Sequence, residues 1–215
     1  MDFTGFPVEV FDFYRDLEYN NTREWWGENR HVYDDLVRPT LDSFISSLPA
    51  EWLPLHVYRP HRQVRFSKDK TPYKTAIGAA GGMEGGGVHY VQLSSAGVHT
   101  AIGYYAMSWD QLARYRDAVL DEVSGPALRV VVRALLDRGV EVHRFDPLVT
   151  APKGYDRDHE RVWYLQARGL TVSDGWPAQH GWTRSRRILS EVLLTWALAM
   201  PLIDWLDEHV GPPEL

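Results

Sequence analysis

The chain contains no cysteine and only four lysines, and each scarcity narrows what it can be. Without sulfur there is no disulfide, no thiol nucleophile and no thiolate metal site, and the composition suits a reducing compartment, so a cytoplasmic location is expected. Long hydrophobic runs are missing too. The most apolar stretch, Val192 to Ile203, is too short to span a bilayer and is flanked by Glu191 and Asp204, so it reads as a core helix and no membrane partner is expected. Met1 to Phe6 has neither a basic region nor an apolar one, so a signal peptide is not expected. Positive charge is in deficit: 23 Lys and Arg face 29 Asp and Glu, for a formal charge of -6. That balance argues against sequence-blind nucleic-acid binding, which depends on broad phosphate neutralisation.

What is present is ordinary for a globular chain of 215 residues, with 44% hydrophobic and 24% charged residues. One domain, residues 1–215, with its own core is expected from this length. The nine tryptophans suit half-buried anchor positions, where a large ring with a single N–H donor is at home.

The lysines are concentrated. Lys68, Lys70 and Lys74 fall within one short segment and Lys153 stands alone, while arginine supplies every other fixed cation. Lysine in these two places points to a need for a compact ammonium whose pKa can be moved. Together with Arg62 and Arg65, and against Asp69, the segment is locally positive in an acidic protein.

Periodicity sets the order of elements. Pro7 opens a helix with Val10, Phe11, Tyr14 and Leu17 on one face. Thr22 caps a second, with Glu24 in its first turn, which runs toward Pro39; a kink or break there precedes Leu41, Phe44, Ile45 and Leu48. Short strands are expected at His56 to Arg59 and Val64 to Phe66, then at Thr75 to Ala80, Val88 to Leu93 and Gly97 to Tyr105. The glycines between the first and second of these longer strands, Gly81-Gly82 and Gly85-Gly86-Gly87, supply turns; no Gly-Lys-Ser/Thr follows them, so a phosphate-cradling P-loop is rejected. Ser108 and Gln111 form a capping box for a helix from Trp109 to Val123, and Pro126 starts another that stops at Gly139. A strand at Val140 to Phe145, a helical turn at Asp158 to Tyr164, a strand at Ala167 to Val172 and a long helix from Arg184 to Val210 complete the chain, with Pro201 as a kink. Strands without strict alternation with helices predict an α+β fold, a largely antiparallel sheet flanked by helices.

Residues Arg65 to Thr75 read Arg-Phe-Ser-Lys-Asp-Lys-Thr-Pro-Tyr-Lys-Thr, and here the sequence resembles a widespread bacterial and fungal family known only as a domain of unknown function. Asn20 to Trp25, Pro152 to Tyr155 and the pair Asp158-His159 agree with it, whereas Glu160 stands where that family usually has proline. The resemblance implies a single intracellular domain and carries no activity. Lysines recur in the two segments that counting had already singled out, which suggests that they face one another.

Each candidate has a functional and a structural reading. Arg62, Arg65, Lys68, Lys70 and Lys74 suit a cradle for phosphate or carboxylate, or equally a set of ion pairs with Glu24, Glu28, Asp34 and Asp35. Asp69 would orient its lysine neighbours, and Ser67, Tyr73, Asn21, Glu24 and Lys153 would complete a ligand-binding cleft. Ser67 and Lys70 spell Ser-x-x-Lys, but Pro72 and the strand before it oppose the helix an acyl-transfer pair needs. Lys70, with a pKa lowered by surrounding cations, and the Asp158-His159 pair are the candidate catalytic groups; for the pair, a helix cap is the alternative. His56, His61, His89 and His99 lack metal-ligand spacing, so no metal or other cofactor is expected. The reading is an uncharacterised soluble protein that binds an anionic small molecule at its basic loop, with turnover left open. The alternative is a non-catalytic interaction module that docks an acidic segment of a partner protein.

Overall fold

The computed structural model describes residues 3–63, 65, 68–82 and 86–214. Its helices are α1 (Val8–Tyr19), α2 (Arg23–Val32), α3 (Arg38–Ser46), α4 (Trp109–Leu120), α5 (Ser124–Asp137), α6 (Val162–Leu165) and α7 (Arg187–His209). Strands β1 (His56–Val57), β2 (Ala76–Gly82), β3 (Val88–Ser94), β4 (Gly97–Tyr104), β5 (Glu141–Arg144) and β6 (Leu170–Pro177) form an antiparallel sheet in the order β1-β2-β3-β4-β6-β5. The fold is α+β. Contacts divide the chain into two compact units: Met1–Gly81, Tyr90–Thr100 and Gly175–Leu193 make the first, and Gly82–His89, Ala101–Asp174 and Leu194–Leu215 the second.

In the first unit, local signals determine the helix ends. Pro7 precedes α1 and supplies a preset φ of -59° at its N-cap. Thr22 accepts the Trp25 backbone N–H at 3.1 Å, and Glu24 sits in the first turn of α2 where negative charge suits the helix dipole. The expected break at Pro39 is absent. A π-helical turn, Tyr33–Val37, carries α2 directly into α3 and places Pro39 in the first turn of that helix. The wider turn removes the need for the N–H that proline lacks and gives its ring room beside the preceding carbonyls. The core is aromatic: Phe3, Phe6 and Phe44 pack with centroids 4.9–5.4 Å apart, and Phe13 contacts Tyr14, Trp25, Trp26 and Tyr33.

β1 is shorter than expected, ending at Val57, although the Tyr58 amide still donates to the Gly78 carbonyl at 2.9 Å. The expected strand at Val64 to Phe66 falls largely outside the described residues, and Arg65 lies in a bend. β3 alternates cleanly. His89, Val91 and Leu93 are buried, which turns Tyr90 and Gln92 to the other face of the sheet.

In the second unit, Ser108 and Gln111 make the expected capping box on α4, but the helix stops at Leu120 and leaves Val123 exposed. The cause is Asp121, whose Oδ1 accepts the backbone amides of Val123 and Ser124 at 2.8 and 2.9 Å and so starts α5 two residues before Pro126. α5 buries Leu128, Val132 and Leu135 and ends at Gly139, whose φ of +76° is a left-handed turn that glycine adopts without strain. α6 begins only at Val162, and β6 starts at Leu170 but runs on to Pro177. Around α4, Tyr115 meets Trp205 edge-on, and the Trp205 indole N–H donates to the Ser124 carbonyl at 2.9 Å.

The apolar run Val192 to Ile203 lies within the 23 residues of α7, with Pro201 inside. By length and composition this helix is long and apolar enough to cross a membrane, and half of its most apolar window is buried within the structure. Val192, Trp196, Ala199, Leu202 and Leu206 are fully buried along it.

Candidate functional site

The basic segment is held from below by Tyr73. Its ring is buried and stacks on Trp26 at 4.2 Å with an interplanar angle of 11°, and its backbone is clamped by Asn21. Asn21 Nδ2 donates to the Tyr73 carbonyl at 3.0 Å while its Oδ1 accepts the Tyr73 amide at 3.1 Å, so one side chain acts as a neighbouring strand would. Tyr73 also forms an antiparallel bridge with His61. On either side, Arg62 N–H donates to Pro72 and Lys74 N–H to Pro60, at 2.9 and 2.8 Å. Alternation then decides where the cations go. With the His61 and Tyr73 rings turned toward Trp26, Arg62 and Lys74 must leave the two arms on the opposite side.

Asp69 shapes the loop between those arms. Its Oδ1 accepts the Thr71 backbone amide at 2.9 Å and the Thr71 hydroxyl at 2.8 Å, the pattern of an Asx turn. Arg62 Nη1 donates to the Thr71 hydroxyl at 2.8 Å and pairs with Asp69 Oδ2. Asp69 therefore orients Arg62. The Thr71 amide first, then the Thr71 hydroxyl and the Arg62 guanidinium, hold the Asp69 carboxyl below its ordinary range.

Arg62 and Lys74 open onto a cleft of about 370 Å³. Its other walls are Tyr58 just after β1, Thr75 just before β2, Ala76 and Gly78 within β2, and Tyr90 and Gln92 from β3. The Lys74 ammonium lies 5.0 Å from the centroid of the Tyr58 ring, which in turn is 6.2 Å from that of Tyr90. The Tyr90 hydroxyl donates to Gln92 Oε1 at 2.7 Å. Gly78 is required beneath it: a Cβ there would lie 2.5 Å from Tyr90 Oη and 2.8 Å from Cε2, so the ring lies across bare backbone. A guanidinium, an ammonium, two phenol rings and an amide thus share one open wall. A smaller cavity of about 190 Å³ in the same unit has Arg15 and Arg184 in its lining, with Arg15 paired to Asp12 at 2.7 Å.

Of the other residues expected at this site, Arg65, Lys68, Lys70 and Glu24 are exposed, and Ser67 lies outside the described residues. Tyr73 and Asn21 serve as the foundation of the loop. Tyr58, Gly78, Tyr90 and Gln92 were not singled out from the sequence. Their signal was the strand alternation itself, since Tyr90 and Gln92 are two apart and out of phase with Val91 and Leu93.

Lys153, Asp158 and His159 belong to the second unit. Lys153 is exposed, beside a buried Pro152 whose carbonyl accepts the Tyr155 amide at 3.1 Å. His159 Nδ1 accepts the Arg161 backbone amide at 3.0 Å, and the Asp158 amide donates to Asp156 Oδ1 at 2.9 Å. Glu160, standing where the resemblance has proline, pairs with Arg129 at 2.7 Å. Among the described residues no group of three or more His, Asp or Glu is arranged to hold a metal ion.

Fold and cleft define an α+β protein with a small cationic, aromatic-walled recess beside an antiparallel sheet. Residues 9–205 match the family described as conserved hypothetical protein (DUF2461), and the chain belongs to that family. No curated protein and no solved structure matches it.

Proposed function

We propose that the protein binds a small anionic molecule, bearing phosphate or carboxylate, in the cleft between Arg62 and Lys74. The observation that carries this reading is the forced placement of both cations on one side of the His61 and Tyr73 bridge, next to a recess large enough for a compact ligand. Arg62 is preorganised by Asp69 and Thr71, so its planar fork is oriented before a ligand arrives. Lys74 rests on the Tyr58 ring and pairs with no carboxylate among the described residues. Its ammonium is a point charge for a ligand oxygen to meet.

Thermal denaturation with and without inorganic phosphate tests the proposal, because a ligand that binds only the folded state raises the melting temperature. Phosphate is expected to raise the melting temperature of the wild type and to have no effect on Arg62→Ala or Lys74→Ala. An unchanged wild-type melting temperature, or equal shifts in all three proteins, would count against it. The exposed cations Arg65, Lys68 and Lys70 favour a second reading, in which the outer loop docks an acidic segment of a partner. Charge reversal at Lys68 and Lys70 would then abolish partner capture while leaving the phosphate effect intact.

A further inference from the structure

We infer that the ligand of this cleft is an aromatic anion, with a planar ring that lies on Tyr90 while its charged group meets Arg62 and Lys74. The inference rests on the anion reading and adds the class of molecule. A site for a bare anion needs donors, and the cleft has more than donors. The Tyr90 ring lies across Gly78, where any side chain would collide with it, so one face is supported by backbone and the ring is held as a platform. Tyr58 stands beside it with its ring tilted by 41° and already carries the Lys74 ammonium. Cations and platform therefore line one recess, so that a ring lying on Tyr90 can turn an attached anionic group toward them.

Gln92 adds orientation. Its Oε1 accepts the Tyr90 hydroxyl at 2.7 Å, which leaves the Nε2 hydrogens of this cleft-lining residue as donors for a polar substituent on the ring. The volume, about 370 Å³, is at the low end of small-molecule sites and suits one ring with one anionic group better than a polymer. Stacking on a preformed aromatic surface raises affinity by about tenfold over the anion alone.

Titration calorimetry with inorganic phosphate, glycerol phosphate and phenyl phosphate tests this. The expected result is that phenyl phosphate binds about tenfold more tightly than glycerol phosphate, and that Tyr90→Leu removes the difference while both still bind. Gly78→Ala, which pushes the Tyr90 ring from its seat without altering any charge, is a second variant expected to remove the same difference. If phenyl and glycerol phosphate bind equally, and both need Arg62 and Lys74, the aromatic inference fails and the anion reading stands. If none of the three binds, or if Arg62→Ala and Lys74→Ala leave binding unchanged, the anion reading fails and this inference falls with it.

Discussion

Asn21 commits both halves of its amide to one backbone residue, and Tyr73 depends on it for the partner that a strand would otherwise supply. Asn21→Ala leaves that half-buried amide and carbonyl without their protein partner, at a cost of about 1–3 kcal/mol. Urea denaturation should show that loss, together with faster hydrogen exchange at the Tyr73 amide; unchanged exchange there would refute the clamp. Asp69 makes a different prediction. Its folded pKa lies below the unfolded value of about 3.9, so its contribution to loop order is complete above that pH and is lost as pH falls through the lowered folded value. The Thr71 amide resonance, followed through an acid titration, should move with a midpoint below the ordinary carboxylate range. In Asp69→Asn that transition should be missing.

Among the elements, the α4–α5 corner is joined to the segment before α6 by Arg161, whose side chain is only 3% exposed. Its guanidinium donates to the Asp121 carbonyl at 2.8 Å and to Glu122 at 3.0 Å, while Glu122 is 88% exposed. Exposure decides which bond matters. Glu122→Gln should cost less than about 1 kcal/mol, because water screens an exposed carboxylate. Arg161→Met should cost about 1–3 kcal/mol, because the Asp121 carbonyl loses its charged donor. Equal losses in denaturant titrations of the two variants would overturn this division.

The elements also mark where sequence reading succeeds. Thr22 and the Ser108–Gln111 box are legible because a cap is made within three residues of itself. Pro39 and Val123 depart from expectation for a common reason. The kink or break expected at the proline is replaced by a π turn that keeps the helix continuous, and the helix expected to reach Val123 ends early because Asp121 caps the next one. In both cases an adjoining helix altered the hydrogen bonding that periodicity assumes.

For the whole molecule, a charge of -6 sets a long-range field that repels polyanions, while a small ligand entering the cleft meets the two cations at close range. Duplex DNA is therefore expected to bind more weakly than about 100 μM at physiological salt, the weak end of non-specific association. Fluorescence anisotropy would reveal an error here as micromolar binding that falls steeply with added salt. The sequence by itself determined the α+β class, the helix starts after Pro7, Thr22 and Ser108 and the cationic character of one segment, because those properties depend on neighbours a few residues apart. Only the tertiary structure decided that Arg62 and Lys74, rather than Lys68 and Lys70, line a cleft, and that Tyr58, Gly78, Tyr90 and Gln92 join them. The reason is physical: which side of a bridge a residue leaves from, and which strand lies alongside, are fixed by pairings between residues far apart in the chain.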